Sequence, residues 1–213
     1  MVLLYIISAI VSYLVGSFNS AIIVSRSNHN EDIREHGSKN AGLTNMLRTY
    51  GSNDAFLTFT GDFLKGVVSL LLTVLIFYVG KASDSTSFAL YFSMLFTILG
   101  HVYPVFFGFK GGKGVLSSAA CLLIIDWRLF LSVIAVFALV LLLSKYVSLS
   151  SVLATVSAVL FNLVYGVLDG TENLLWKTAL LSVVAALIII KHRSNISRLI
   201  KGTENKLSVK KKG

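Results

Sequence analysis

Apolar runs of about 20 residues, enough helix to cross the hydrocarbon core of a bilayer, recur along this chain from its first residues almost to its last. They read as membrane spans at Val2–Ser25, Asp54–Val79, Phe88–Phe107, Leu129–Lys145, Ser150–Leu168 and Leu174–Ile190. One stretch does not fit. Val115–Leu143 is too long for a single comfortable span, and Asp126-Trp127-Arg128 interrupts it. A charge at mid-membrane costs about 2.5–3.5 kcal/mol on insertion scales. The interruption therefore belongs at the interface, as a tight turn anchored by Trp127 and Arg128. What remains before it is a short fourth helix, Val115–Ile125, and the chain then has seven helices.

With seven helices and the N-terminus outside, the connectors carrying Arg26–Arg48, Lys110–Lys113, Lys145 and Lys191–Lys212 all face the cytoplasm. Of the 19 lysines and arginines only Lys81, Arg128 and Lys177 then lie outside, the bias that orients membrane proteins. A single span over Val115–Leu143 would push the basic tail outside instead. The expected fold is an all-α integral membrane protein, a seven-transmembrane-helix bundle with a cytoplasmic C-terminus. It forms one domain over residues 1–213, with a basic cytoplasmic tail at 206–213. Charged residues make up 14% of the chain, against about a quarter in soluble domains. The net charge of +9 accordingly reads as orientation and as affinity for membrane lipid and anionic substrates, not for nucleic acid. The N-terminus is apolar from Val2, with no basic leader or small-residue cleavage site, and reads as a retained first span. The single cysteine, Cys121, lies in an apolar run, which excludes an internal disulfide and a multi-cysteine zinc site.

Three polar islands share the cytoplasmic side. The first, Asp32–Gly51, holds more hydrogen-bonding chemistry than a tether between spans requires: Ser38, Asn40, Thr44, Asn45 and Arg48. If Ala41–Arg48 is helical, Ala41, Asn45 and Arg48 face one way and Thr44 and Arg48 lie one turn apart. An arginine there grips a phosphate with its planar fork. A capped loop-to-helix turn with a topology-setting arginine explains the same residues. The second island is Gly108 to Gly114. Its glycines let backbone N–H groups approach an anion, the helix start adds donors and partial positive charge, and Lys110 and Lys113 add full charges. Gly111, Gly112 and Gly114 with these lysines make a phosphate cradle, although the order of a Walker A loop is absent. A flexible loop whose lysines enforce topology is the competing reading. The third island places His192, Asn195 and Arg198 three residues apart, on one helical face, ahead of Gly202-Thr203-Glu204; solvated residues at a membrane surface account for it equally. Within the spans, Asp62 and Lys65 read as an ion pair turned inward. Pro104 reads as a kink of the third span toward the site, and Ser148, Ser150 and Ser151 as caps of the sixth helix.

In this order and on one side, the islands resemble those of the bacterial acyl-phosphate glycerol-3-phosphate acyltransferases (PlsY). The resemblance rests on Gly16-Ser17, Asp32-Ile33-Arg34, Gly37-Ser38-x-Asn40-x-Gly42-x-Thr44-Asn45-x-Leu47-Arg48, Gly61-Asp62-x-x-Lys65-Gly66 and Gly100-His101-x-x-Pro104. It continues through Phe109-Lys110-Gly111-Gly112-Lys113-Gly114, His192-Arg193-x-Asn195-Ile196-x-Arg198-Leu199 and Gly202-Thr203-Glu204. Lys39, Leu43 and Asn19 depart from it, standing where the family often has glycine, a small residue and proline. The resemblance implies a multi-pass enzyme of the bacterial cytoplasmic (inner) membrane, with its active site on the cytoplasmic side. Such an enzyme moves a fatty acyl group from acyl phosphate to the 1-hydroxyl of sn-glycerol 3-phosphate, giving lysophosphatidic acid and phosphate for phospholipid synthesis. It needs no cofactor, and a soluble acyl-phosphate synthase is the implied source of its donor.

An acyl phosphate is already activated, so such an enzyme mainly positions the hydroxyl, stabilises the oxyanion and neutralises the leaving group. The candidate catalytic residues are Ser38, Arg48, Lys113, His192 and Asn195. Ser38 and Thr44 bind the acyl phosphate, with Lys113 and the Gly111–Gly114 backbone on its phosphate. Arg48, His192 and Asn195 hold glycerol 3-phosphate. Asn40, Asn45, Lys110, Ser148, Ser151 and Arg198 complete the substrate contacts, and Glu204 pairs with a basic residue to fix the tail. Two proton acceptors compete, His192 and the substrate's own phosphate. Ser38 lacks the Gly-x-Ser-x-Gly elbow of a covalent nucleophile. The rival class is a carrier for a phosphorylated or anionic solute, suited by Asp62 and Lys65 but opposed by the one-sided motifs and the lack of an inverted repeat. A phosphatidyl-alcohol transferase would need an Asp-rich metal motif, and the ten acidic residues form none; no metal is expected.

Overall fold

The computed structural model describes residues 1–207; the basic tail from Ser208 onward lies outside the described residues. The chain divides into two compact units, one of Met1–Ile125 and one beginning at Asp126. Among the described residues every regular element is helical. Six stretches are long and apolar enough to cross a membrane: Val2–His29, Ser52–Val79, Ser83–Phe107, Trp127–Ser144, Val147–Leu168 and Leu174–Lys191. Val115–Ile125, at 11 residues, is shorter.

The first unit contains α1 (Val2–Ser17), α2 (Ser20–His29), α3 (Leu43–Thr49), α4 (Ser52–Val79), α5 (Thr86–Val102) and α6 (Val115–Ile125). The expected first span is two helices, not one. Phe18 and Asn19 leave the helical conformation, and the Asn19 side chain then caps α2 by accepting from the Ile22 N–H at 3.1 Å. The third span also differs from expectation. It stops at Val102 instead of kinking at Pro104, because the proline ring disfavours helical backbone at the residue before it. Helix α3 opens at Leu43 behind an extended Gly42, so Ala41 lies outside it.

Helix α1 packs on α4 and α5, and α4 also packs on α2, α3 and α6. Lipid is as apolar as a leucine side chain, so helices in it associate by close approach of small residues and by hydrogen bonds. At the α1–α5 crossing a Cβ on Gly16 would strike the Thr97 carbonyl oxygen, and one on Gly100 the Tyr13 carbonyl oxygen. The two backbones touch there because neither glycine has a side chain. Buried Ser69 and Thr97 share a hydrogen bond of 2.6 Å between α4 and α5.

The second unit contains α7 (Trp127–Ser144), α8 (Val147–Leu168), α9 (Leu174–Lys191) and α10 (Arg193–Ile200). Helix α8 packs on α7 and α9, and α10 rests on both α8 and α9. As the sequence suggests, the apolar run breaks at Asp126. Its carboxylate caps α7 by accepting from the Arg128 N–H at 2.8 Å and pairs with the Arg128 guanidinium at 2.7 Å. Arg128 also pairs with Asp169 and lies over the Tyr165 ring. The serines at the start of α8 are not caps, since Tyr146 holds the cap position. Ser150 and Ser151 instead donate back to the carbonyls of Tyr146 and Val147, at 2.9 and 2.8 Å.

Candidate active site

Within the first unit, the Asp32–Gly51 island and the glycine loop meet, and Arg34 joins them. Its Nη1 donates to the carbonyls of Phe107 at 2.7 Å and Lys110 at 2.9 Å. Its other face is gripped by Asp32, through Nε to Oδ1 at 2.9 Å and Nη2 to Oδ2 at 2.8 Å. Hydrogen bonding from Arg34 holds the Asp32 carboxyl well below the usual carboxylate range, so the fork stays charged on both sides. Sequence reasoning gave Arg34 no role; its place two residues after an aspartate is the available signal, because that spacing lets one carboxylate orient the guanidinium.

The loop itself is held by its own backbone. The Gly111 N–H donates to the Val102 carbonyl and the Gly112 N–H to the His101 carbonyl, each at 3.1 Å. This corrects the expected phosphate cradle at Gly111 and Gly112, because those two donors already have protein acceptors. The cationic contribution of the loop comes from exposed Lys110 and half-buried Lys113. Gly112 is buried, and a Cβ there would strike the His101 ring and the Ala41 carbonyl, so glycine is what lets loop and island close together.

Asn45 was expected to face substrate, and the structure corrects this too. Its amide donates to the carbonyls of Ile33, His36 and Asn40 at 3.2, 3.0 and 3.1 Å, and its oxygen accepts from the Ser38 N–H at 2.9 Å. It is the buried hub that shapes the loop carrying Ser38 and Asn40. Ser38 and, on α3, Arg48 are exposed, while Asn40 and Thr44 are half-buried.

Beneath this surface lies a buried charged cluster. Lys65 Nζ is 2.8 Å from Asp62 Oδ1 and 2.8 Å from His101 Nδ1, and it donates to the Phe18 carbonyl at 2.8 Å. An ammonium only donates, so His101 Nδ1 accepts and the ring carries its proton on Nε2. The Ser20 N–H donates to Asp62 Oδ1 at 3.3 Å. The ion pair thus supplies partners to backbone groups exposed by the α1–α2 break. The i,i+3 spacing foretold the pair; it did not foretell that His101 joins it from α5.

In the second unit Glu204 is the hub. It accepts from Ser148 Oγ at 2.9 Å, Asn195 Nδ2 at 2.7 Å and Arg198 Nε at 2.7 Å. Burial by itself would raise its carboxyl, but the hydrogen bonds from Asn195, Ser148 and Arg198 and the Arg198 charge outweigh it and hold it below the ordinary glutamate range. Ser151, a candidate substrate contact, instead directs its hydroxyl into its own helix. His192 was expected on one face with Asn195 and Arg198. It sits at the junction of α9 and α10, almost fully buried, with Nδ1 2.8 Å from the Ile188 carbonyl. A carbonyl only accepts, so Nδ1 bears a proton, and in the neutral ring the lone pair is on Nε2.

A family model described as glycerol-3-phosphate acyltransferase matches residues 6–202. The glycerol-3-phosphate acyltransferase of Clostridioides difficile (strain 630) is 39% identical over 97% of this chain and 97% of its own length. That of Paraburkholderia phymatum is 41% identical over 97% of this chain and 94% of its own. Among solved structures, PlsY (YgiH), an integral membrane glycerol 3-phosphate acyltransferase, is similar in its glycerol 3-phosphate form with TM-score 0.83 and 35% identity over 96% of both chains. Its lysophosphatidic acid form gives TM-score 0.81 at 34% identity over the same shares.

Proposed function

The chain belongs to the glycerol-3-phosphate acyltransferase family, whose members acylate glycerol 3-phosphate for phospholipid synthesis, and we propose that it uses acyl phosphate as donor and the 1-hydroxyl as acceptor. It is an acyltransferase, and the carrier reading is set aside. On this proposal it works as one domain of a bacterial cytoplasmic membrane, with seven spans, its N-terminus outside and its chemistry on the cytoplasmic side. A soluble synthase supplies the donor.

The observation that carries the proposal is the junction of the Ser38–Arg48 island with the lysine-bearing glycine loop, clamped by Arg34. It gives a cationic, hydroxyl-bearing surface at the end of apolar spans, which suits a phosphate attached to a fatty chain. Ser38, Thr44 and Lys113 are assigned to the acyl phosphate. Arg48, His192 and Asn195 are assigned to glycerol 3-phosphate. The acceptor hydroxyl oxygen attacks the acyl carbonyl carbon, and the bond from that carbon to the phosphate oxygen breaks, with the electron pair leaving on phosphate. The hydroxyl proton passes to His192 Nε2 or to the phosphate released. The Nδ1 hydrogen bond to Ile188 supports the first acceptor, because it fixes the lone pair on the other nitrogen.

The test is purified protein with acyl phosphate and sn-glycerol 3-phosphate, without added metal, followed by detection of lysophosphatidic acid and phosphate. Turnover with acyl phosphate is expected; turnover only with another acyl donor would overturn the donor assignment. The variant His192→Gln separates the two bases: near-full kcat with unchanged KM would leave the proton with phosphate.

A further inference from the structure

Helix α10 has two faces with different surroundings. Asn195 and Arg198 point to Glu204. About half a turn round the helix, Arg193, Ile196, Ser197 and Ile200 line a groove of about 440 Å³, closed by Ile189 and Ile190 of α9 and by Lys201. Its lining is almost wholly apolar side chain, yet a cation stands at each end of α10, at Arg193 and Lys201. Among the described residues neither cation forms an ion pair, and Glu204, the acid nearest α10 in sequence, is taken by Arg198. The groove opens at the last turn of α9, a helix long and apolar enough to span a bilayer. Ile190 is 58% and Ile200 82% exposed, which in water would be a patch without purpose.

We propose that this groove binds an anionic phospholipid of the bilayer. The headgroup phosphate lies against Arg193, Lys201 and the Ser197 hydroxyl, and one acyl chain runs along Ile190, Ile196 and Ile200. The charge selects the lipid class: basic side chains at a membrane surface favour anionic over zwitterionic headgroups, and their apolar stems cover the chain below. The position at the end of a span selects lipid over a soluble anion, and the volume lies in the range of ordinary ligand pockets. The site is separate from the catalytic assignment, since the face that carries Asn195 and Arg198 is the opposite one.

The test uses the full-length enzyme in nanodiscs of neutral phosphatidylcholine. Each preparation holds a trace of phosphatidylglycerol or phosphatidylcholine bearing the same photoreactive acyl chain, and adducts are mapped by peptide mass spectrometry. The anionic probe is expected to label Ile189–Lys201 several-fold more than the choline probe. The double variant Arg193→Gln/Lys201→Gln should bring the anionic probe down to the choline level, abolishing that several-fold preference, while kcat in detergent stays unchanged and reports an intact fold. Equal labelling by the two probes, or labelling indifferent to the double variant, overturns the proposal. So does displacement of the probe by added lysophosphatidic acid but not by phosphatidylglycerol, which would make the groove a product site.

Discussion

Glu204 gathers three side chains from two parts of the second unit onto one carboxylate, and hydrogen bonds to a charged group contribute about 1.5–3 kcal/mol each. The variant Glu204→Gln should therefore lower the melting temperature in detergent and reduce kcat/KM at least about tenfold, chiefly by loosening Asn195 and Arg198. Its folded carboxyl is held below the ordinary range. The stabilisation is thus fully present above the unfolded value, near pH 4.3, and is lost as the pH falls through the lower folded value. Acid melts should show that loss in the parent protein and less of it in the variant. Asp62 and Lys65 allow a sharper test. Lys65→Met leaves a buried carboxylate without its cation and should destabilise by about 3–5 kcal/mol, whereas Lys65→Met with Asp62→Asn should recover part of that. Thermal denaturation of the three variants decides it; equal losses in single and double variants would deny the pairing its energetic role. The pair was legible because three residues on a helix set its distance. The work of Asn45 was not, because its four hydrogen bonds depend on a loop path that no periodicity encodes.

At the level of helices, the break at Asp126 was legible because charges interrupt an apolar run. The break at Phe18 and Asn19 was not, since the chain stays free of charge there and has no proline. Its stabiliser, Lys65, is on another helix. The α1–α5 crossing makes its own prediction. Gly100→Val adds volume where two backbones touch and should cost about 1–3 kcal/mol, read as a lower melting temperature. A matched change at exposed Gly170, on the surface of the second unit, should cost less per atom added only if its positive φ is kept, so Gly170→Asn is the appropriate control. Arg34→Gln should free the carbonyls of Phe107 and Lys110. The expected result is a KM for acyl phosphate raised about tenfold as the loop bearing Lys113 loosens, with a smaller change in kcat. A kcat effect alone would show that the Arg34 clamp does not position the loop for the donor.

Across the whole chain, composition made the membrane class and the helical fold plain, and the basic-residue bias made a sidedness. Cysteine mapping tests that sidedness. Cys121 is buried, so the parent protein gives little background with an impermeant maleimide. A cysteine in place of Lys81 should label in intact cells, and one in place of Lys39 only after permeabilisation. Labelling of position 39 from outside would reverse the assigned topology. The three islands were legible as clusters of polar and basic residues, but which of those groups hold one another was not, because side-chain partners come from segments far apart in sequence.

The junction of α1 and α2 bears on how the protein is made. The Phe18 carbonyl meets its partner only when Lys65 arrives, and the Ser20 N–H only when Asp62 does. Both lie more than 40 residues later, and His101, which completes the cluster, later still. During synthesis the α1–α2 segment enters the bilayer with only the Asn19 cap to hold its bend. It waits for two further helices to be threaded before it takes its final shape. Helix α1, made before its partners, therefore settles only after them.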